Sequence, residues 1–222
     1  MGLAEAQADA TLDQLRARLA PLIAANAMFD GWSRQGVRNA ARGAGIDEDV
    51  AFYAFSGGQM DMIDAWIVTV DEGMALALPM ERLAAMKVRE RIAALVRWRL
   101  DRVAGLEEAV RGALAIMAMP QNAARGLRMG WRSADRMWRL AGDTATDLNH
   151  YSKRALLAGI YAATLAVWVD DTSEGKAESL AFLDRRIEGV MRFEKAKAKL
   201  LKPREERFSM ARLLGRLRYP AI

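Results

Sequence analysis

His150 is the only histidine in the 222-residue chain, and Asp147 lies three residues before it. A histidine beside a carboxylate is a conventional pair for general acid–base chemistry. The chain has no cysteine, which excludes thiolate nucleophiles, disulfides and sulfur-bound metal centres. No serine lies in a nucleophile motif, and no Glu-x-x-His pair could build a ferritin-like di-iron site. We therefore predict a non-enzyme with no catalytic residue, no metal and no cofactor, in which His150 is structural or interfacial.

Large apolar side chains at helical spacing indicate a different kind of site, one that buries an apolar ligand. Leu127, Trp131, Ala134 and Trp138 follow one another at i, i+4, i+7 and i+11, which is one face of a helix. Such stripes usually fill a core, but aromatic and methionine side chains also suit an adaptable apolar cavity. The candidate lipid-binding residues are Leu114, Met117, Leu127, Trp131, Trp138, Ile160, Tyr161 and Leu165.

The net charge of +5 comes from the C-terminal end of the chain. Residues 194–222 contain nine basic and three acidic residues, whereas the preceding 193 residues contain 24 basic and 25 acidic residues. The high isoelectric point is therefore weak support for nucleic-acid binding by the body of the protein.

The same C-terminal segment has an amphipathic pattern over residues 208–218. A helix there would place leucine and methionine on one face and arginine elsewhere, which is typical of a helix lying in a bilayer interface. We predict contact with an anionic membrane surface; docking on the protein's own body or on a second subunit is the alternative. The candidate membrane-binding residues are Phe208, Met210, Arg212, Leu213, Leu214, Arg216 and Leu217.

Helical periodicity dominates the chain, so the sequence predicts an all-α protein of nine or ten helices. We expect a helix-turn-helix part over 1–72, a helical lipid-binding bundle over 73–199 and the amphipathic helix over 204–222. The longest uncharged run, Ala155–Val169, is too short to span a bilayer. The first twelve residues fit no targeting peptide. The excess of arginine over lysine and the abundant alanine suggest a bacterial cytoplasmic protein, and the C-terminal segment leads us to expect it at the periphery of the inner membrane. The predicted helices are 11–26, 33–43, 47–55, 59–77, 80–103, 106–119, 123–140, 147–169, 176–199 and 205–218.

The stretch Ala41–Ile46, followed by Phe52 and Phe55, resembles the helix-turn-helix of TetR-type regulators over about 40 residues. A recognition helix needs basic or polar residues at its start to meet phosphates and base edges. This one opens with Asp47-Glu48-Asp49, where Asp47 is a plausible N-cap. We therefore expect the fold without nucleic-acid binding, with a ligand-responsive transcription regulator as the alternative function.

The most specific signal in the middle of the chain is the continuous stretch Met137–Arg154, together with Met119-Pro120-Gln121-Asn122 and with Tyr161, Thr164, Asp171, Phe182-Leu183 and Arg186. These residues resemble those of the Coq-nine family of ubiquinone-biosynthesis accessory proteins. This resemblance implies a TetR-like fold that binds an isoprenoid quinone intermediate or another lipid. It further implies a partnership with the di-iron hydroxylase that acts on demethoxyubiquinone, and a homodimer formed through the last two long helices.

The resemblance also implies a binding surface for that hydroxylase. Asp147, Asn149, Tyr151 and Arg154 match the family's surface patch. His150 occupies a position where eukaryotic relatives carry tryptophan, so an aromatic contact is changed here. The candidate partner-binding residues are Asp147, Asn149, His150, Tyr151 and Arg154.

Overall fold

The computed structural model of the protein describes residues 11–201 except 145 and 147, and within that part it contains ten α-helices and no strand. The all-α prediction is confirmed. The helices are α1 (Leu12–Asp30), α2 (Arg34–Ala44), α3 (Glu48–Ala54), α4 (Gln59–Ala77), α5 (Met80–Leu83), α6 (Val88–Arg102), α7 (Glu107–Ala118), α8 (Pro120–Leu140), α9 (Leu148–Trp168) and α10 (Ala177–Leu201).

The first helix begins at a reciprocal cap. The Thr11 hydroxyl accepts a hydrogen bond from the Gln14 backbone N–H, and the Gln14 side chain accepts one from the Thr11 backbone N–H. This arrangement satisfies two donors that the first turn of a helix leaves without partners. Leu15, Leu19 and Ile23 then form the buried face of α1.

The turn between α2 and α3 is the predicted glycine turn. Gly45 has φ of 65°, a left-handed conformation that favours glycine, and the Ile46 N–H donates to the Ala41 carbonyl at 2.9 Å. The Asp47 carboxylate accepts hydrogen bonds from the backbone N–H groups of Asp49 and Val50. The predicted N-cap is confirmed.

The sequence predicted one helix over 80–103, and this prediction is wrong. The structure instead has two helices, α5 and α6, with a turn between them. The Arg91 side chain stabilises this turn, since it donates hydrogen bonds to the carbonyls of Ala84, Met86 and Ala141. Helix α6 then begins with Lys87 as its N-cap, and the Glu90 side chain accepts a hydrogen bond from the Lys87 backbone N–H.

Helix α4 packs against α1, α6, α7 and α8, and α9 packs against α6, α7 and α8. The predicted boundary between residues 72 and 73 falls inside α4. Trp32, which follows α1, packs against Trp66 of α4 with ring centroids 5.3 Å apart, and its indole N–H donates to the Ala109 carbonyl. The helix-turn-helix part and the following helices therefore share one buried interior.

The chain divides into two compact units at residue 185, so the end of α10 belongs to the second unit.

None of the helices in the described part of the chain is long and apolar enough to cross a membrane. The predicted helix over 205–218 and all seven candidate membrane-binding residues lie outside the described residues.

Candidate lipid-binding site

A cavity of about 770 Å³ lies between α4, α6, α7, α8 and α9, and its wall is almost entirely apolar. A volume in this range suits a small-molecule ligand. Six of the eight candidate lipid-binding residues line it together: Leu114, Met117, Leu127, Trp131, Tyr161 and Leu165.

The other two candidates lie off the wall. The Trp138 indole N–H donates to the Lys153 carbonyl at 2.9 Å, which fixes α8 against α9. Ile160 is half-buried on α9, on a different face from Tyr161. The helical face of Leu127, Trp131 and Trp138 therefore contributes to the cavity only over its first half.

A further wall, contributed by α4, was missed from the sequence. Ile63, Trp66, Ile67 and Val70 all line the cavity. Their spacing of i, i+3, i+4 and i+7 is the signal that could have found them.

Small residues leave the space that the cavity occupies. Gly126 lies where α7 and α8 cross, since an added Cβ would meet the Met117 backbone oxygen at 3.1 Å. Gly130 and Gly159 also line the cavity, and an added Cβ at either position would meet no atom within 4 Å. Leu127 is 76% exposed, so the cavity is open to solvent on the side that α8 contributes.

Among the described residues that line the cavity, one is charged, Arg99 of α6. Its guanidinium pairs with Asp71 of α4, and the Ser133 hydroxyl donates to the other carboxylate oxygen of Asp71 at 2.9 Å. The guanidinium also lies 4.8 Å from the centroid of the Tyr161 ring. Both side chains are buried, with Arg99 2% and Asp71 7% exposed. The two residues are 28 positions apart in the sequence and meet because α4 packs against α6. Burial lowers the pKa of Arg99, but Tyr161 and Asp71 outweigh it and leave this pKa above its ordinary value.

An aromatic contact links the cavity to the predicted partner-binding residues. Tyr151 is 60% exposed, and its ring lies 6.0 Å from that of Trp131, a cavity residue. His150 packs edge-on against Tyr151 at 5.1 Å, and Asn149 is exposed on the same first turn of α9. Asp147 lies outside the described residues.

Arg154, by contrast, lies inside the protein, where it is 1% exposed. Its guanidinium donates to Asp135 at 2.6 Å, to Asp143 at 3.1 Å and to the His150 carbonyl at 3.0 Å. These contacts join the end of α8 to the start of α9. Arg154 therefore positions the turn that carries Tyr151 and does not offer its charge at the surface.

Asp171, another residue of the resembling stretch, holds the chain before α10. Its carboxylate accepts hydrogen bonds from the backbone N–H and hydroxyl groups of both Ser173 and Ser179. These hydrogen bonds hold the pKa of Asp171 well below its ordinary value.

Among the residues that the structure describes, no group of three or more acidic or histidine side chains could hold a metal ion.

Comparison with known proteins places this site in a family context. The COQ9 family model matches residues 123–194, which we call the COQ9 segment. The resemblance to the Coq-nine family is confirmed. The COQ9 segment contains α8 from residue 123 onwards, α9 and the turn held by Asp171, and it supplies about half of the cavity wall.

Curated relatives match the same part of the chain. The ubiquinone biosynthesis protein COQ9 of Rattus norvegicus is 43% identical over 79 residues, and that of Homo sapiens is 38% identical over the same length. The match covers 36% of this chain and only a quarter of each of those proteins. The COQ9 protein of Drosophila melanogaster is 23% identical over 189 residues, which is 83% of this chain and 58% of that protein.

The fold is shared with a solved regulator. The TetR transcriptional regulator from Nitrosomonas europaea superposes with a TM-score of 0.61, over 78% of this chain and 95% of that one. The sequences are 19% identical, so the likeness concerns the fold alone. The TetR-like all-α fold is confirmed.

Proposed function

We propose that this protein is a lipid-binding accessory protein of ubiquinone biosynthesis. The observation that carries the proposal is the apolar cavity of about 770 Å³, half of whose wall is the COQ9 segment. Curated relatives of that segment are named ubiquinone biosynthesis proteins. An isoprenoid chain would gain about 0.8 kcal/mol for each CH₂ group that it buries there.

The proposal extends to the way in which the ligand is used. The protein holds an isoprenoid quinone intermediate and presents it to a di-iron demethoxyubiquinone hydroxylase, which performs the oxygen chemistry. Contact between exposed Tyr151 and cavity residue Trp131 supports this role, because a partner at Tyr151 would lie beside the bound ligand.

Extraction of the purified protein with organic solvent, followed by mass spectrometry, tests the cavity. We expect a quinone, isoprenoid or phospholipid at near-stoichiometric amounts in the wild type. Gly130→Leu should reduce this amount, because the new side chain enters open space within the cavity. Gly43→Leu is the matched control, since Gly43 is exposed on α2 and its added Cβ also meets nothing. Equal lipid content in all three proteins, or none in the wild type, would contradict the proposal.

Association with the hydroxylase is tested by titration calorimetry with Tyr151→Ala. We expect a loss of affinity of tenfold or more, as for an aromatic interface residue that contributes about 2 kcal/mol. Tyr53→Ala is the control, because Tyr53 is similarly exposed, at 68%, but lies on α3. If the two variants bind the hydroxylase equally well, the partner surface is elsewhere.

Attachment to the membrane is proposed through residues 204–222. The full chain should float with anionic vesicles and should float poorly with neutral ones, because the segment is both basic and apolar. A chain lacking residues 204–222 should stay at the bottom of the gradient. Equal flotation of the two chains would remove the membrane role.

The alternative of a DNA-binding regulator is less favoured. Arg38 and Arg42 of α2 both bind Glu48, at 3.0 and 2.7 Å, and the next residue of α3 is Asp49. Bringing these carboxylates towards DNA phosphates would be unfavourable. We expect no gel shift with random duplex or with the DNA upstream of the gene; a sequence-specific shift would support the regulator.

A further inference from the structure

The cavity opens to solvent along a rim that carries no polar side chain. Five of the residues that line the cavity are also exposed: Ala118, Leu127, Ala155, Gly159 and Ala162. They lie on α7, α8 and α9, and none of them can form a hydrogen bond through its side chain. Exposed apolar surface that is continuous with a cavity marks an interaction site, because its exposure to water is unfavourable.

Helix α9 continues this surface without any charge. From Ala155 to Trp168 the helix contains no acidic or basic residue. Leu156, which follows the rim residue Ala155, is exposed, and so is Ala166 two turns further along. A partner that covers the rim therefore meets no charged group on this part of α9.

Helix α8 places positive charge directly beside the rim. It contains five arginines and one acidic residue, a formal charge of +4. Arg128 follows Leu127, and Arg132 and Arg139 share the helical face of Arg128 at i+4 and i+11. Arg132 and Arg139 each bind an aspartate. Arg128 is exposed and takes part in no ion pair with a described residue, so its charge is available to an anion.

An apolar rim beside an available arginine favours an anionic bilayer as the partner. A guanidinium binds lipid phosphate, and an apolar side chain next to it enters the boundary of the acyl region. Nucleic acid would bind the arginines but would leave the apolar rim without a matching surface. A protein covering the rim would close the cavity, whereas a lipid could pass from a bilayer into the cavity without crossing water.

We propose that the rim and Arg128 form a bilayer-docking surface, which sets the mouth of the cavity against an anionic membrane. Leu127 enters the apolar side of the bilayer interface while Arg128 binds lipid phosphate. This surface is distinct from residues 204–222 and orients a protein that the C-terminal segment attaches. The purpose of the surface rests on the proposed function, because it takes the ligand of the cavity to come from the bilayer.

Single-cysteine reporters test the proposal, since the chain has no cysteine of its own. Ala124→Cys places a reporter on α8, one turn before Arg128, at an exposed residue that does not line the cavity. Ala25→Cys is the matched control, because Ala25 is exposed on α1. Each full chain is labelled with a fluorophore and mixed with vesicles of phosphatidylcholine and phosphatidylglycerol in equal amounts, some bearing a quencher on the acyl chain. We expect strong quenching of the label at position 124 and little at position 25.

Charge reversal tests the contribution of Arg128. Arg128→Glu should weaken binding of the full chain to the same vesicles about fivefold or more, as expected for a basic residue at an anionic surface. Arg18→Glu is the control, because Arg18 is exposed on α1 and the substitution changes the net charge equally. This control should bind within about twofold of the wild type, since a charge away from the docked surface is screened by salt.

The outcomes separate the docking surface from the proposed function. Equal quenching at positions 124 and 25, or equal binding by Arg128→Glu and Arg18→Glu, would overturn the docking surface while the lipid cavity stands. Shielding of the label at position 124 by the hydroxylase or by self-association, and not by vesicles, would also overturn it and assign the rim to a protein partner. Quenching at position 124 in a wild type that yields no lipid on extraction would instead overturn the proposed function and leave the docking surface in place.

Discussion

The helix-turn-helix region, α1–α3, has a solid interior, whereas the bundle of α4 and α6–α9 encloses a cavity. In the first region Leu19, Ile23 and Ala51 are completely buried. In the second, Gly130 and Gly159 line a cavity of about 770 Å³, and neither has a side chain that could fill it. The size of a few inward-facing side chains therefore separates a solid interior from one that contains a cavity.

The two regions also differ in where they place charge. In the helix-turn-helix region Glu48 binds Arg42 and Arg38 at the surface, and the hydrogen bond from Arg42 is the main cause that lowers the pKa of Glu48. In the bundle, Arg99 and Arg154 are 2% and 1% exposed and are held by aspartates. The ion pair of the helix-turn-helix region therefore lies at the surface, whereas the arginines of the bundle are buried in its interior.

The largest effect that this contrast predicts is at Arg154. Arg154→Ala should lower the free energy of unfolding by about 3–5 kcal/mol, because it leaves Asp143 and Asp135 without a buried partner. Arg42→Ala in the helix-turn-helix region should cost about 1 kcal/mol or less, since its pair is exposed. Chemical denaturation followed by circular dichroism measures both.

Arg139 provides the control for Arg154. It binds the same carboxylate, Asp135, at 2.8 Å, but its side chain is 70% exposed. Arg139→Ala should therefore behave like Arg42→Ala. If Arg154→Ala were as stable as Arg139→Ala, the bundle would not depend on its buried charges.

The next effect concerns packing. Leu19→Ala, in the solid region, should cost about 2–5 kcal/mol of unfolding free energy because it opens a new cavity. Leu114→Ala should cost about 1 kcal/mol, since Leu114 is half-buried and already borders open space. Equal losses in thermal and urea denaturation would show that the cavity wall is packed as tightly as the core of the first region.

A smaller effect is expected at the start of α3. Asp47→Ala should lower the free energy of unfolding by about 0.5–2 kcal/mol, because two backbone N–H groups lose their acceptor. Asp49→Ala, two residues along and exposed, is the control and should change stability by less than about 0.5 kcal/mol. A reversed order would mean that these acids serve a partner and not the helix.

The last prediction concerns the pH dependence of stability at Asp171. Its folded-state pKa is lowered by the hydrogen bonds from Ser173 and Ser179, so its contribution is complete above the ordinary value of 3.8 and is lost as the pH falls below it. Asp171→Asn should be less stable than the wild type at pH 7, and the difference should shrink below about pH 4. Unfolding curves from pH 7 to pH 2.5 measure it; a difference independent of pH would contradict the role of the charge.

Local signals in the sequence predicted much of the fold. The predicted bounds of α4, at about residues 59 and 77, agree with the structure, and Asp47 was predicted as a cap. These features depend on residues within a few positions of one another, so periodicity and capping rules suffice. The break between α5 and α6 was missed although most of its contacts are local, namely the Glu90 cap and the Arg91 hydrogen bonds to Ala84 and Met86. Only the Arg91 hydrogen bond to the Ala141 carbonyl, 50 residues away, lies beyond the reach of a local rule.

The candidate site was predicted in part for the same reason. Six wall residues lie on the apolar faces of α7, α8 and α9. The spacing of apolar residues within one helix is enough to predict such a face. Trp138 shares the face of Leu127 and Trp131, yet it contacts Lys153 and not the cavity. The neighbouring helix therefore decides how far along α8 the apolar face lines the cavity.

The sequence by itself determined the helical class, the caps and glycine turn at the helix ends, and the residues that each helix turns inward, because these follow from hydrogen bonds and periodicity within short segments. Only the tertiary structure decided that the inward faces leave a space between them, that α4 completes its wall, that Arg154 lies inside and Tyr151 outside, and that Arg99 meets Asp71 across the interior. Those outcomes depend on distances between helices far apart in the chain, and a one-dimensional pattern carries no measure of such distances.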